Sequence, residues 1–388
     1  MSRFFDLVSK PARDMGTTNA PSTTLAAIER RSQLIKLDSN ENPFGPSARA
    51  VEAMRSALSA ANSYPDDGCG ELRRKLATHH EVRPEQVLVG AGSTELISLL
   101  CQTLLARGLN AVTSERSFII YSMAVRAARG QLIETPMRDD SFDLEAILSA
   151  IDAKTRIVFL ANPNNPTGTM LEATVVERFL AQIPGHVVVV LDEAYYEFAL
   201  RFAALRGVTY SNSLEYVRQE ASVVVLRTFS KAHGLAGLRV GYGLGPAELL
   251  GYCARMRNTF SVSSVGQAAA LAALDDDNHI QRVVENNVLQ SRVLSQGLSG
   301  LGCRVVPTSA NFVFCDLGED AAAHADRLQN EGVAVRPLGP WGAPNCIRVT
   351  IGTAEQNQAF LQAAQRVVAR GFGTGTQMSG LAREDREY

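Results

Sequence analysis

Four consecutive valines leading into Leu-Asp, Val187–Asp192, constrain this chain of 388 residues more than any other stretch. A run that is apolar at every position, not at alternate ones, suits a strand buried on both faces, and such strands belong to parallel sheets covered by helices. Ile157–Ala161 and Val223–Leu226 read the same way. Polar or turn-forming residues follow each run closely: Asn162-Pro-Asn-Asn-Pro-Thr-Gly168, Asp192-Glu193, and Thr228-Phe-Ser-Lys231. Open α/β sheets bind ligands outside the carboxyl ends of their strands, so these three tails are expected to meet in one site. With further candidate strands at Val87–Gly90, Ala111–Thr113, Gln131–Thr135 and Val240–Leu244, the chain is expected to form an α/β fold. Its centre is a mixed, mostly parallel seven-stranded sheet with helices on both faces.

The length is too great for one core and suits two. A large domain is expected over residues 46–284, and a small α+β domain from residues 1–45 and 285–370. A long helical pattern from about Asp277 to Leu298 crosses between them. A helix is expected around Thr24–Arg31, and residues 371–388, without periodicity, are expected to be a mobile tail. Net charge −2 and a pI near 6.3 argue against nucleic-acid and membrane partners. No apolar run reaches transmembrane length, no signal peptide is evident, and the six cysteines form no C-x-x-C pair. The histidines lack metal spacing, so no metal is expected, and the chain reads as a cytoplasmic protein handling small molecules.

Lysine is scarce, with Lys10, Lys36, Lys75, Lys154 and Lys231 standing against 33 arginines. A lysine at a buried strand end, among Ala and Gly, therefore looks selected for its amine, since arginine cannot form a Schiff base. Small apolar neighbours and nearby cations lower an amine's pKa and leave it nucleophilic. Thr228, Ser230 and Arg239 supply two hydroxyls and a guanidinium suited to a phosphate. Val87-Leu-Val-Gly-Ala-Gly-Ser-Thr94 reads as strand, glycine turn and helix start, where amides and the hydroxyls of Ser93 and Thr94 hold anions. Gly90-x-Gly92 also opens a dinucleotide fingerprint, but Glu95 stands where its third glycine belongs. Asp192, ending a doubly buried run, needs a proton or a cation beside it.

The string Ser230-Lys-Ala-His-Gly-Leu-Ala-Gly-Leu-Arg239 resembles the cofactor-lysine signature of fold-type I aminotransferases that use pyridoxal phosphate (PLP). It is most similar to the histidinol-phosphate aminotransferase subfamily. The resemblance spans roughly residues 35–368 and implies an aspartate-aminotransferase-like fold. It also implies PLP carried on Lys231, with its phosphate held by Gly92, Ser93, Thr94, Thr228, Ser230 and Arg239. Asp192 would meet the pyridine nitrogen, Asn165 and Tyr195 its phenolic oxygen, and Phe118 the ring face. A helix is expected to contain Phe118 and Tyr121, where the family has a Tyr-x-x-Tyr pair; here it is Phe118-Ile-Ile-Tyr121, with Tyr121 implied to face the substrate. Asn40, within Asn40-Glu-Asn42-Pro, is implied at the active-site lip, with Arg336 and Arg348 on the substrate's anionic end. Tyr64 would reach the cofactor phosphate of a partner subunit, which requires a homodimer with shared sites. The family's N-terminal tyrosine that closes over substrate has no counterpart, since no tyrosine precedes Tyr64.

The implied activity moves an amino group from an amino donor, histidinol phosphate first, to a 2-oxo acid such as 2-oxoglutarate. A transaminase for aromatic or other amino acids comes second, and the same scaffold also supports decarboxylation and cyclisation. A dehydrogenase would leave Lys231 and Asp192 unexplained.

Overall fold

The computed structural model describes residues 8–14 and 34–373. The helix expected around Thr24–Arg31 and most of the expected tail lie outside the described residues. The last helix, Ala354–Gly373, extends into the segment expected to be tail.

Seven strands form the central sheet, in the order Val87–Gly90, Gly241–Leu244, Val223–Thr228, Val188–Asp192, Thr155–Ala161, Asn110–Ser114 and Gln131–Thr135. Gly241–Leu244 is antiparallel to both neighbours, and the other pairings are parallel. Consecutive residues are buried along the inner strands, so both faces are covered, as the unbroken apolar runs require. The carboxyl ends of the six parallel strands share one edge. Gly241 enters the sheet at that edge, opposite Gly90 and Thr228.

A second core forms around the four strands Arg304–Val306, Phe312–Asp316, Ala343–Thr350 and Arg336–Leu338, in that spatial order. Ile35–Lys36 pairs in parallel with Val333–Ala334, and Leu37 is buried in this core. The chain then runs directly to the edge of the central sheet, so Asp38–Asn42 arrive there from the smaller sheet. The helix Asp277–Gly300 passes unbroken from a cluster with Tyr195 and Phe312 to the second core, where Leu294 and Leu298 are buried. Ser47 caps the helix Ala48–Ala57, accepting from Ala50 N at 3.2 Å.

The helix near Phe118 begins later than the sequence pattern suggests. It runs Ile120–Ala127, leaving Phe118 in the preceding loop and Tyr121 in the first turn. Ser117 is tied to the Asn164 side chain at 2.9 Å, and that bond holds the loop open to the sheet edge.

Candidate active site

At the carboxyl edge lies a cavity of about 340 Å³, and the strand tails build most of it. Asn165, Asp192, Thr228, Ser230 and Lys231 line it from three adjacent parallel strands. Ser93 and Thr94 enter from the first strand's turn, Phe118 from the loop, and Asn40, Arg336 and Arg348 from the smaller sheet's side.

One end of the cavity is a helix start without a side-chain cap. Gly92 takes the N-cap position of helix Ser93–Leu104 at φ 80°. That positive φ is what calls for glycine, and a Cβ there would also lie 2.5 Å from the movable end of the Arg239 guanidinium. Gly92 itself does not line the cavity; it makes room for Arg239. Arg239 donates to Ser230 Oγ at 3.4 Å and to Ala236 O at 3.1 Å, and no carboxylate pairs with it among the described residues. Thr228 Oγ1 donates to Ser230 Oγ at 3.0 Å and accepts from Ser230 N. Free amides, hydroxyls and an unpaired guanidinium form a cradle for an anion.

Lys231 Nζ lies 3.4 Å from Ser39 O and 3.3 Å from Asn40 O, and 5.7 Å from the Tyr195 ring centre. Burial, reinforced by the positive charges of Arg348 and Arg239, lowers its pKa to about 7. The amine is thus substantially neutral at physiological pH, as a nucleophile or proton carrier must be.

Asp192 is 4 % exposed, and burial raises its pKa to about 6 against the opposing hydrogen bonds from Tyr121 and Ala194 N. No lysine or arginine forms an ion pair with it among the described residues. A buried carboxylate without a protein cation is suited to a cationic group on a ligand.

Asn165 Oδ1 accepts from Arg348 at 2.6 Å, which fixes the amide and leaves Nδ2 without an acceptor among the described residues. Tyr195 Oη accepts from Asn40 Nδ2 at 2.9 Å, so its own proton remains to be donated. Asn165 and Tyr195 therefore offer two unused donors, as a phenolate oxygen between them requires. Asn40 lines the cavity, but its side chain is occupied in holding Tyr195. Asn42 bonds Ala232 O at 2.8 Å and fastens the N-terminal segment to the lysine loop.

Arg348 is 5 % exposed on its strand, with burial lowering its pKa to about 10. Besides Asn165 it reaches Asp38 O at 3.0 Å, and among the described residues no carboxylate pairs with it directly. Arg336 donates to the same carbonyl at 3.2 Å, with the Asp38 carboxylate 3.8 Å away. Two guanidinium groups converge where one backbone oxygen meets them, leaving capacity for a doubly charged anion.

Tyr121 departs from its expected place at the substrate. It is 1 % exposed, stacks on Phe159 at 4.5 Å and donates to Asp192 Oδ2 at 2.9 Å, behind the cavity wall. Its position in the helix's first turn carries the ring under the sheet edge. Tyr64 lines no part of its own chain's cavity; it is 82 % exposed and stacks on Phe260 at 4.5 Å.

Several contributors carried no individual sequence signal. Trp341, Ile119 and Ile120 line the cavity, and Asp38 and Ser39 act through their carbonyls. Behind Asp192 and Thr228, Glu193 and Arg227 form a buried ion pair at 2.8 Å, with Arg227 lying 3.4 Å over the Tyr196 ring. An arginine inside one apolar run and a glutamate ending another, both destined for burial, were the available clue.

Comparison with known proteins follows the same lines. The family Aminotransferase class I and II matches residues 32–363. Histidinol-phosphate aminotransferase 2 of Pseudomonas aeruginosa is 44% identical over 336 residues, covering 87% of this chain and 89% of that protein. The structure of histidinol-phosphate aminotransferase from Sinorhizobium meliloti in complex with pyridoxal-5'-phosphate superposes with TM-score 0.84 at 29% identity, covering 94% of this chain and 98% of that one. Aspartate aminotransferase from Thermus thermophilus with maleate superposes with TM-score 0.82 at 26% identity, covering 93% and 99%.

Proposed function

This chain belongs to the class I and II aminotransferases, and on that premise we propose that its amino donor is histidinol phosphate and its acceptor a 2-oxo acid such as 2-oxoglutarate. It is a PLP-dependent transaminase. The observation that carries the donor is the pairing of Arg336 with a buried Arg348 that lacks a carboxylate partner among the described residues. A phosphate dianion uses both guanidinium groups, whereas a single carboxylate is served by one.

The cofactor, when bound, supplies a carbonyl that exchanges amino groups and a ring that accepts the electron pair left on the substrate carbon. Arg239, Ser230, Thr228 and the amides and hydroxyls of Ser93 and Thr94 hold its phosphate. Asn165 and Tyr195 would donate to its phenolic oxygen, Phe118 would cover its ring, and Asp192 would keep its ring nitrogen protonated. Lys231 would hold its carbonyl end, and its neutral amine, with the pKa lowered to about 7, is suited to take a proton from the amine-bearing carbon of the substrate. Asn40 and the carbonyls of Ser39 and Asn40 keep Tyr195 and Lys231 in place while Arg336 and Arg348 orient the substrate.

With PLP and 2-oxoglutarate present, purified enzyme should form glutamate from histidinol phosphate at least about tenfold more efficiently than from phenylalanine, the difference that one well-used ion pair allows. Glutamate formed from phenylalanine alone would replace this donor with an aromatic amino acid.

Among the described residues no helix is long and apolar enough to cross a membrane, in keeping with a cytoplasmic enzyme. In the same reading the enzyme is a homodimer, with the exposed Tyr64 completing the phosphate site of the second copy. Mixed dimers of Tyr64→Ala and Lys231→Ala subunits should then regain activity that neither variant has, because one of the two sites is intact. No recovery on mixing would place Tyr64 outside the partner's site.

A further inference from the structure

A carboxylate that serves a ring nitrogen must be aimed as well as buried. Two donors aim Asp192. Ala194 N reaches Oδ1 at 3.2 Å, a local turn contact, and Tyr121 Oη reaches Oδ2 at 2.9 Å from a different segment. The Tyr121 ring lies parallel to Phe159, with centroids 4.5 Å apart and an interplanar angle of 9°. Its segment is pinned as well, because Ser117 Oγ donates to Asn164 Oδ1 at 2.9 Å and Asn164 Nδ2 donates to Arg116 O at 3.1 Å. Phe118 meets Tyr121 edge-on at 5.7 Å. One short stretch thus presents Phe118 to the cavity and Tyr121 to the carboxylate behind it.

The choice of a phenol has a physical reason. A lysine or arginine at this point would neutralise Asp192 and leave nothing for a ring cation. A neutral hydroxyl fixes the carboxylate and leaves its charge available. Burial and the Asp192 charge push the Tyr121 pKa up, so the hydroxyl stays a donor.

We propose that Tyr121 is a positioning residue for the cofactor: anchored on Phe159, its hydroxyl holds the Asp192 carboxylate in the orientation that serves the ring nitrogen, a role that rests on Asp192 being that nitrogen's partner. Tyr121→Phe keeps the ring and its stacking and removes only the hydrogen bond. The dissociation constants of PLP and of its 1-deaza analogue, in which a CH replaces the ring nitrogen, separate positioning from packing. Loss of a hydrogen bond to a charged group should weaken PLP binding about ten- to a hundredfold. The deaza analogue, which cannot use Asp192, should bind within about twofold of wild type, and this also shows that the fold is intact. In an Asp192→Asn background, Tyr121→Phe should add no more than about twofold, because the two residues act as one unit.

Equal losses for both cofactors, full additivity with Asp192→Asn, or unchanged PLP binding would each overturn the proposal. The premise fails separately. If Asp192→Asn discriminates between the two cofactors as wild type does, Asp192 is not the nitrogen's partner and the role of Tyr121 falls with it. If Asp192→Asn loses discrimination while Tyr121→Phe keeps it, only the role of Tyr121 is lost.

Discussion

Lys231→Ala should abolish useful transamination, lowering kcat by about 10²–10⁴-fold through loss of proton transfer alone. The variant should remain folded, because the side chain bonds only weakly to Ser39 O and Asn40 O. It should also release PLP on dialysis, and added amine should restore part of the proton transfer. Turnover within a few-fold of wild type would remove Lys231 from the mechanism. The pH dependence of cofactor capture checks the same amine before any substrate is present. Only the neutral amine attacks the cofactor's carbonyl, and burial beside Arg348 and Arg239 brings its pKa down to about 7. The capture rate of cofactor-free enzyme should therefore rise as pH climbs through about 7 and level off above it. A rate still rising steeply at pH 9 would indicate a lysine near its ordinary value of about 10.4.

Asp192→Asn should cost about 10²–10³-fold in kcat, the loss typical of removing one preorganised electrostatic group from a buried site. The amide is nearly isosteric and still fits beside Tyr121 and Ala194 N, so the loss reports charge and not shape. The cofactor-free variant should gain stability while it loses activity. In the folded protein the Asp192 pKa is raised to about 6 from the ordinary value near 3.8, so between these values the native state holds a proton that the unfolded state has released. Wild-type stability from this group accordingly falls as pH rises through that window. At pH 8 the asparagine variant should be more stable by about 2–3 kcal/mol, with the gap closing towards pH 4. A stabilising substitution that destroys activity marks a charge kept for function. Equal stability at pH 8, measured by denaturant unfolding of the cofactor-free proteins, would show that the carboxylate is already compensated.

Residues at the ends of apolar runs were the most legible part of the site. Asp192, Asn165 and Lys231 each follow a strand buried on both faces, and parallel strands deliver their carboxyl ends to one edge. Gly92 was legible as a turn, though the Arg239 guanidinium 2.5 Å from where a side-chain carbon would stand belongs to the folded state. The resemblance to the family's Tyr-x-x-Tyr pair puts Tyr121 at the substrate. The helix instead starts after Phe118, and of the two touching rings only Phe118 lines the cavity while Tyr121 turns to Asp192. The two guanidinium groups were legible as residues, whereas their shared contact with Asp38 O was not.

By itself, then, the sequence determined the strands, the edge at which they open, and the chemical types that an amine-transferring site requires. Hydrophobic periodicity and turn chemistry are local, and local rules suffice for these. Only the tertiary structure decided which donors remain unused. Arg348 turns the Asn165 amide, Asn40 occupies the Tyr195 oxygen, and Tyr121 rather than a cation meets Asp192. Those partners lie 71 to 183 residues apart in the chain. Hydrogen bonds are directional and short, so no pattern along the chain specifies which distant donor will close on which acceptor.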